Sequence, residues 1–220
     1  MLRVGLTGGL GSGKSTAARM FAAHGAHVLS SDEIGRELMQ PGQAVYAAIV
    51  ECFGEGVVRA DSSLDRPALA RIAFADGRVE ELNAIVHPAV IARQAELVEE
   101  IAAREPGAVV IVESALIFET KYGGDGGWRT RFDRVIFVKA SEELKIARFI
   151  RRGSGGEEIG AERRKELEGE ARRRLAKQAD GERNASRSDY VLVNDGSVEA
   201  LQAQVDTLWP TLIAAARERA

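Results

Sequence analysis

Residues 2–7 (LRVGLT) form a short, largely apolar run that ends in glycines, which predicts a buried strand. Residues 14–24 carry apolar positions at helical spacing, and 26–30 read as a second strand. A helix follows over 32–39 and is stopped by Pro41-Gly42. The next stretch is rich in helical patterns. Val45, Ile49 and Cys52 share one face, Asp65 followed by Pro67 marks a helix start, and Val79, Leu82, Ile85 and Val86 continue the spacing. Pro88 should begin a separate amphipathic helix that runs to Arg104 and is closed by Pro106-Gly107.

Residues 108–113 (AVVIVE) are β-branched and apolar up to their last position, the pattern of a central parallel strand buried on both faces. Residues 121–128 (KYGGDGGW) read as a glycine-rich loop and 134–139 as a further strand. Residues 141–152 are helical, 153–156 form a glycine hinge, and 161–177 form a charged helix. A last strand at 190–193 and a closing helix at 197–217 complete the chain. Strands separated by helices predict an α/β fold, with a parallel five-stranded sheet covered on both sides.

Composition narrows the class. The 220 residues are 45% hydrophobic and 29% charged, as in a folded globular chain long enough to bury a core without staples. Thirty basic and 33 acidic side chains leave a formal charge of −3. Basic residues crowd between Arg148 and Arg187, but Glu162, Glu166, Glu168 and Glu170 interleave with them. That pattern points to a salt-bridged helix, and with 5% aromatics a nucleic-acid surface is not expected. The single cysteine, Cys52, excludes an intrachain disulfide and a cysteine-rich zinc site. The apolar run 108–118 is broken by Glu113 and is too short to span a bilayer. No leader pattern is seen before Gly8, so a cytoplasmic protein is expected.

The most specific chemistry lies near the start. Gly8 to Ser15 (GGLGSGKS) fits the phosphate-loop pattern G-x-x-x-x-G-K-[ST], between a predicted strand and a predicted helix. Its glycines let successive amides turn toward phosphate oxygens at the positive end of a helix. Gly11, Ser12, Gly13, Lys14, Ser15 and Thr16 are therefore the expected ATP-binding residues. Lys14 should reach the β- and γ-phosphates, and the Ser15 hydroxyl should ligate Mg²⁺. No N-K-x-D base-reading motif accompanies the loop, which favours ATP over GTP.

Asp32 follows the second predicted strand, where open α/β sheets place functional groups. It reads either as the acceptor of a proton from an attacking hydroxyl or as a helix-capping residue. Arg36, one turn on, reads as the holder of an acceptor phosphate or as its surface partner. Glu113 ends the most buried strand, where a carboxylate supports Mg²⁺ through water or simply meets solvent. Arg148 and Arg152, four apart beside the glycine hinge, can face one site and stabilise transferring phosphoryl charge. His87 reads as a structural hydrogen-bonder or a catalyst, while His24 and His27 form no ligand cluster. Tyr122 and Trp128 either line an acceptor pocket or anchor their loop. On these residues alone the chain is a small-metabolite kinase, with shikimate or nucleosides among the possible acceptors, or an ATP-binding regulatory protein.

The chain also resembles the dephospho-CoA kinases over nearly its whole length. GLTGGLGSGKST (5–16) is similar to that family's phosphate loop and SSDEIGREL (30–38) to its D-A-D-x-I-A-R segment, which puts the catalytic aspartate on Asp32 and its arginine on Arg36. Leu64-Asp65-Arg66 and Val86-His87-Pro88 resemble its helical acceptor region and place His87 with the substrate. ESALIFET (113–120) is similar to its D-x-P-L-L-F-E, EELKIARFIRR (142–152) to its lid entry, and Gln178 stands where a lid glutamine is usual. DYVLVNDGS (189–197) resembles the segment near the adenine, with Asn194 as a further ATP contact. Glu113 and Ala115 replace the family's aspartate and proline, and Ser30 replaces the first acid of D-A-D.

The resemblance implies a phosphate-loop NTPase core with an inserted acceptor subdomain over about 42–106 and a lid over about 145–187. It implies transfer of the ATP γ-phosphate to the ribose 3′-hydroxyl of dephospho-CoA, with Asp32, Lys14, Arg148 and Arg152 catalytic. ATP and dephospho-CoA would be the partners, with no nucleic acid or membrane, and the protein a monomer or small homo-oligomer.

Overall fold

The structure, a computed structural model, describes residues 1–122, 127–176 and 181–219, and only the backbone of Phe74 and Ala75. Five parallel strands form one sheet: β1 (Leu2–Gly8), β2 (His27–Ser30), β3 (Val109–Glu113), β4 (Arg134–Lys139) and β5 (Tyr190–Val193). Their order is β2-β3-β1-β4-β5, so the chain leaves β1 on one side and later returns to its other side. This reversal opens a crevice at the C-terminal end of β1, where open α/β sheets bind ligands. The register fixes what meets there. Glu113 pairs with Leu6 on one side and Ser30 on the other, so the ends of the first three strands lie abreast.

Alternation along β3 explains its uniformly apolar sequence. Val109 and Ile111 face one core, with Phe21 of α1 (Lys14–Ala23) and Leu201, Val205 and Leu212 of α10 (Val198–Arg217). Val110 and Val112 face the other side, toward Val98 and Ile101 and toward Ile117 and Phe132. At the outer edge of β5 the amide of Gln204 accepts from Val193 N at 2.9 Å and donates to Val193 O at 2.8 Å. A side-chain amide thus occupies a rung that another strand would otherwise take.

The remaining helices are α2 (Ser31–Leu38), α3 (Ala44–Phe53), α4 (Arg66–Ala75), α5 (Val79–Arg104), α6 (Trp128–Arg131), α7 (Glu142–Gly153), α8 (Ala161–Ala176) and α9 (Gly181–Ser186). Serine or aspartate caps the start of several: Ser30 for α2, Asp65 for α4, Ser141 for α7 and Ser197 for α10. A second core gathers Val45, Ile49, Phe53, Val57, Leu64 and Leu69 from α3, α4 and the turns between them. Leu82, Ile85 and Val86 of α5 close it. A third joins Ile146, Phe149 and Ile150 of α7 to Leu167 and Ala171 of α8, with Leu10 of the phosphate loop against it.

The predicted boundary at Pro88 is not a boundary. One helix, α5, runs through it, because its N-terminal half is fastened to the second core and its C-terminal half to the sheet through Val98 and Ile101. Burial on both sides outweighs the hydrogen bond that proline cannot donate. The glycine stretch is followed by a short helix, α6, that no periodicity predicted and that begins at Trp128. Residues 123–126 of that stretch and Gln178 lie outside the described residues. The charged helix is salt-bridged as its interleaving implied, through Arg163–Glu166, Arg172–Glu168 and Arg174–Glu170. Among the described residues, no helix is long and apolar enough to cross a membrane.

Candidate active site

The turn from β1 into α1 wraps a cavity of about 660 Å³ whose walls include Gly11, Gly13, Lys14, Ser15, Thr16, Glu113, Arg148, Arg152 and Asn194. Its curl depends on glycine at two places. Gly13 precedes α1 at φ 97°, and a Cβ there would stand 2.1 Å from Asn194 Nδ2. Gly8 has φ 153°, and its Cβ would stand 2.4 Å from Val138 O.

Lys14 folds back over the loop and donates to Gly8 O at 2.8 Å and Gly9 O at 3.2 Å. Burial pulls its pKa below the ordinary lysine value, while Glu113 and Asp32 pull it up. Ser15 Oγ donates to Glu113 Oε1 at 2.7 Å. The end of the central strand thus meets the first turn of α1, and the glutamate reaches the serine that the loop pattern assigns to a metal. No cluster of three His, Cys, Asp or Glu side chains encloses a metal among the described residues. A hydroxyl and one carboxylate fit Mg²⁺, which takes most of its ligands from phosphates and water.

Asn194 anchors the back of the loop: its Nδ2 donates to Ser12 O at 2.8 Å, and its backbone N–H to Lys139 O at 2.8 Å. Arg148 donates to Asn194 O at 2.9 Å, Asn194 Oδ1 at 3.3 Å and Gly11 O at 3.4 Å, tying α7 to the loop. Arg152 stands over the Phe149 ring at 5.9 Å and is close enough to Lys14 to oppose its charge. Ser12 departs from the rest. Its side chain is fully buried, its Oγ has no partner among the described residues, and its N–H goes to Gly9 O at 3.1 Å. It is not on the cavity wall.

A second cavity, of about 380 Å³, opens between α2, α5 and the segment after β3. Arg36 and His87 line it together with Arg66, Gln94 and Arg131. Asp32, Ser114 and Ala115 line both cavities, so Asp32 stands at their junction. It is not the helix cap: Ser30 Oγ accepts from Glu33 N at 3.3 Å, leaving the Asp32 carboxylate exposed on the first turn. The serine that departs from the family wording therefore does the capping.

His87 meets the edge of Tyr122 at 5.7 Å, and burial lowers its pKa, with Glu80 opposing. Tyr122 and Trp128 are off the cavity wall, and Trp128 packs edge-on against Phe118 at 5.2 Å. His24 and His27 pair with Asp206 and Glu105 at the surface, away from either cavity. The sequence reading missed Gln94 and Arg131. Gln94 lies mid-helix without a motif, and Arg131 belongs to the unforeseen α6.

Comparison with known proteins agrees with this geometry. The family described as CoaE, dephospho-CoA kinase, matches residues 2–200. A dephospho-CoA kinase from Streptomyces avermitilis is 41% identical over 215 residues, covering 97% of this chain and 95% of that one. One from Corynebacterium jeikeium is 40% identical over 212 residues, covering 95% and 98%. A crystal structure from Thermus thermophilus superposes with a TM-score of 0.71 at 29% identity, covering 96% of this chain and 97% of that one.

Proposed function

The chain belongs to the dephospho-CoA kinase family, and from that premise we propose that it transfers the γ-phosphate of ATP to the ribose 3′-hydroxyl of dephospho-CoA, giving CoA and ADP. The observation that carries this reading is the place of Asp32, on the wall that the nucleotide cavity shares with the second cavity. An acceptor hydroxyl beside that carboxylate faces the end of a triphosphate laid along the loop.

Lys14, released from Gly8 O and Gly9 O, and the loop amides hold the β- and γ-phosphates. Ser15, and Glu113 through water, would hold Mg²⁺, which when bound would offset charge on the phosphate oxygens. Asn194 fixes the loop and borders the nucleotide. Asp32 orients the hydroxyl and takes its proton as the 3′-oxygen attacks the γ-phosphorus. The bond to the β–γ bridging oxygen breaks, and ADP leaves with the electron pair. Arg148 and Arg152 stabilise the charge on the phosphoryl group in flight, and Arg36 and His87 border the acceptor. Helices α7 to α9 serve as the lid, α3 to α5 as the acceptor subdomain, and the enzyme works in the cytoplasm as a monomer or small homo-oligomer.

The test is ADP release from Mg-ATP with and without dephospho-CoA. Acceptor-stimulated release is expected. Stimulation by shikimate or by a nucleoside but not by dephospho-CoA would assign a different acceptor, and ATP binding with no stimulated turnover would indicate a non-catalytic relative.

A further inference from the structure

Arg131 ends α6 and lines the second cavity, with its guanidinium 4.9 Å from the centroid of the Phe132 ring. It is half-buried, and burial lowers its pKa. Its hydrogen bond goes to a neutral group, Gln94 Oε1, at 3.0 Å, and it forms no ion pair among the described residues. Arg3, Arg78, Arg93, Arg163, Arg172 and Arg174, by contrast, all reach carboxylates. A guanidinium withdrawn from water without an anion costs stability. The cost is offset when a ligand brings the anion, and the flat donor fork suits phosphate oxygens.

The surroundings hold this fork in place. Gln94 is 4% exposed, and its Nε2 donates to Ser31 Oγ at 2.8 Å. With the amide nitrogen committed to Ser31, the oxygen must face Arg131. Ser31 is the neighbour of Asp32, so α2, α5 and α6 are locked together around the proposed hydroxyl site. Arg36 and Arg66 line the same cavity from its exposed side. Three guanidiniums facing one cavity mark it as a receptor for a multiply charged anion.

We propose that Arg131, held by Gln94, is the residue that reads the diphosphate of the acceptor and so distinguishes a 5′-diphosphoryl nucleoside from a bare one. This inference rests on the functional reading above. In dephospho-CoA the diphosphate hangs on the ribose that carries the 3′-hydroxyl. A hydroxyl at Asp32 therefore leaves the diphosphate within the same cavity.

The test is calorimetric titration of dephospho-CoA and of adenosine into protein saturated with Mg²⁺ and a non-hydrolysable ATP analogue, for the wild type, Arg131→Met and Arg131→Lys. Arg131→Met should bind dephospho-CoA roughly 10- to 100-fold more weakly and adenosine within about threefold of wild type. Arg131→Lys, which keeps the charge but loses the fork, should fall between. Should Arg131→Met fail to fold, as judged by thermal melting, the lysine variant alone decides, through the ratio of the two affinities. Equal weakening of both ligands, no weakening of either, or a wild type that binds dephospho-CoA no better than adenosine would overturn the inference. A wild type that binds dephospho-CoA but forms no CoA overturns the functional reading instead, and the binding ratios still decide the role of Arg131.

Discussion

Asp32, Glu113 and His87 each make a separable contribution that substitution can isolate. Asp32→Ala should lower kcat by roughly 10²- to 10⁴-fold while the KM for ATP changes little, since the role proposed for this carboxylate at the junction of the two cavities is with the acceptor hydroxyl, and the loop amides and Lys14 are left in place. Steady-state kinetics in both substrates checks this, and a parallel loss of ATP affinity would contradict it. Glu113→Gln keeps an oxygen for the Ser15 hydroxyl but loses the charge. It should raise the Mg²⁺ concentration for half-maximal rate about tenfold, measured by metal titration at fixed ATP. His87 has a folded-state pKa below 6.5, with burial as the main cause. In the window below pH 6.5 the unfolded chain takes up the proton before the folded one does, so stability falls as the pH drops and is flat above. Urea denaturation at pH 7.5 and 5.5 should show a smaller loss for His87→Phe than for the wild type, and identical losses would exclude the effect.

At the scale of elements, what the sequence made legible follows from how local each cause is. The strand at 134–139 is found where hydrophobic pattern put it, and the phosphate loop sits between β1 and α1 as its motif required. Those signals lie within the segments themselves. Pro88 misled because the forces that keep α5 whole come from two different cores, which a local pattern cannot display. The Ser12 side chain is turned into the body of the protein, a matter of the loop's curl rather than its wording. Gln94 and Arg131 escaped notice because their meaning depends on a contact between distant elements. The same is true of Gln204, which closes the edge of β5. Gln204→Leu should lower stability by about 1–3 kcal/mol and leave the Val193 rung open to another chain. Chemical denaturation and light scattering check both, and unchanged stability would show that the rung is filled by water at no cost.

For the molecule as a whole, the sheet brings three strand ends abreast, and two cavities meet on one carboxylate. One cavity is lined by a phosphate loop and arginines of α7, the other by arginines of α2, α4 and α6. The proposed reaction gives this arrangement a direction, with phosphoryl passing from the loop across Asp32 into the second cavity. The most direct measurement follows the phosphoryl group itself. ATP isotopically labelled at the γ-phosphate is incubated with Mg²⁺ and dephospho-CoA, and the product is analysed by mass and by position of the label. The account predicts CoA labelled at the ribose 3′-phosphate, formed one for one with ADP and nearly absent with Asp32→Ala. Label appearing only as free phosphate, or on another position of the acceptor, would contradict it.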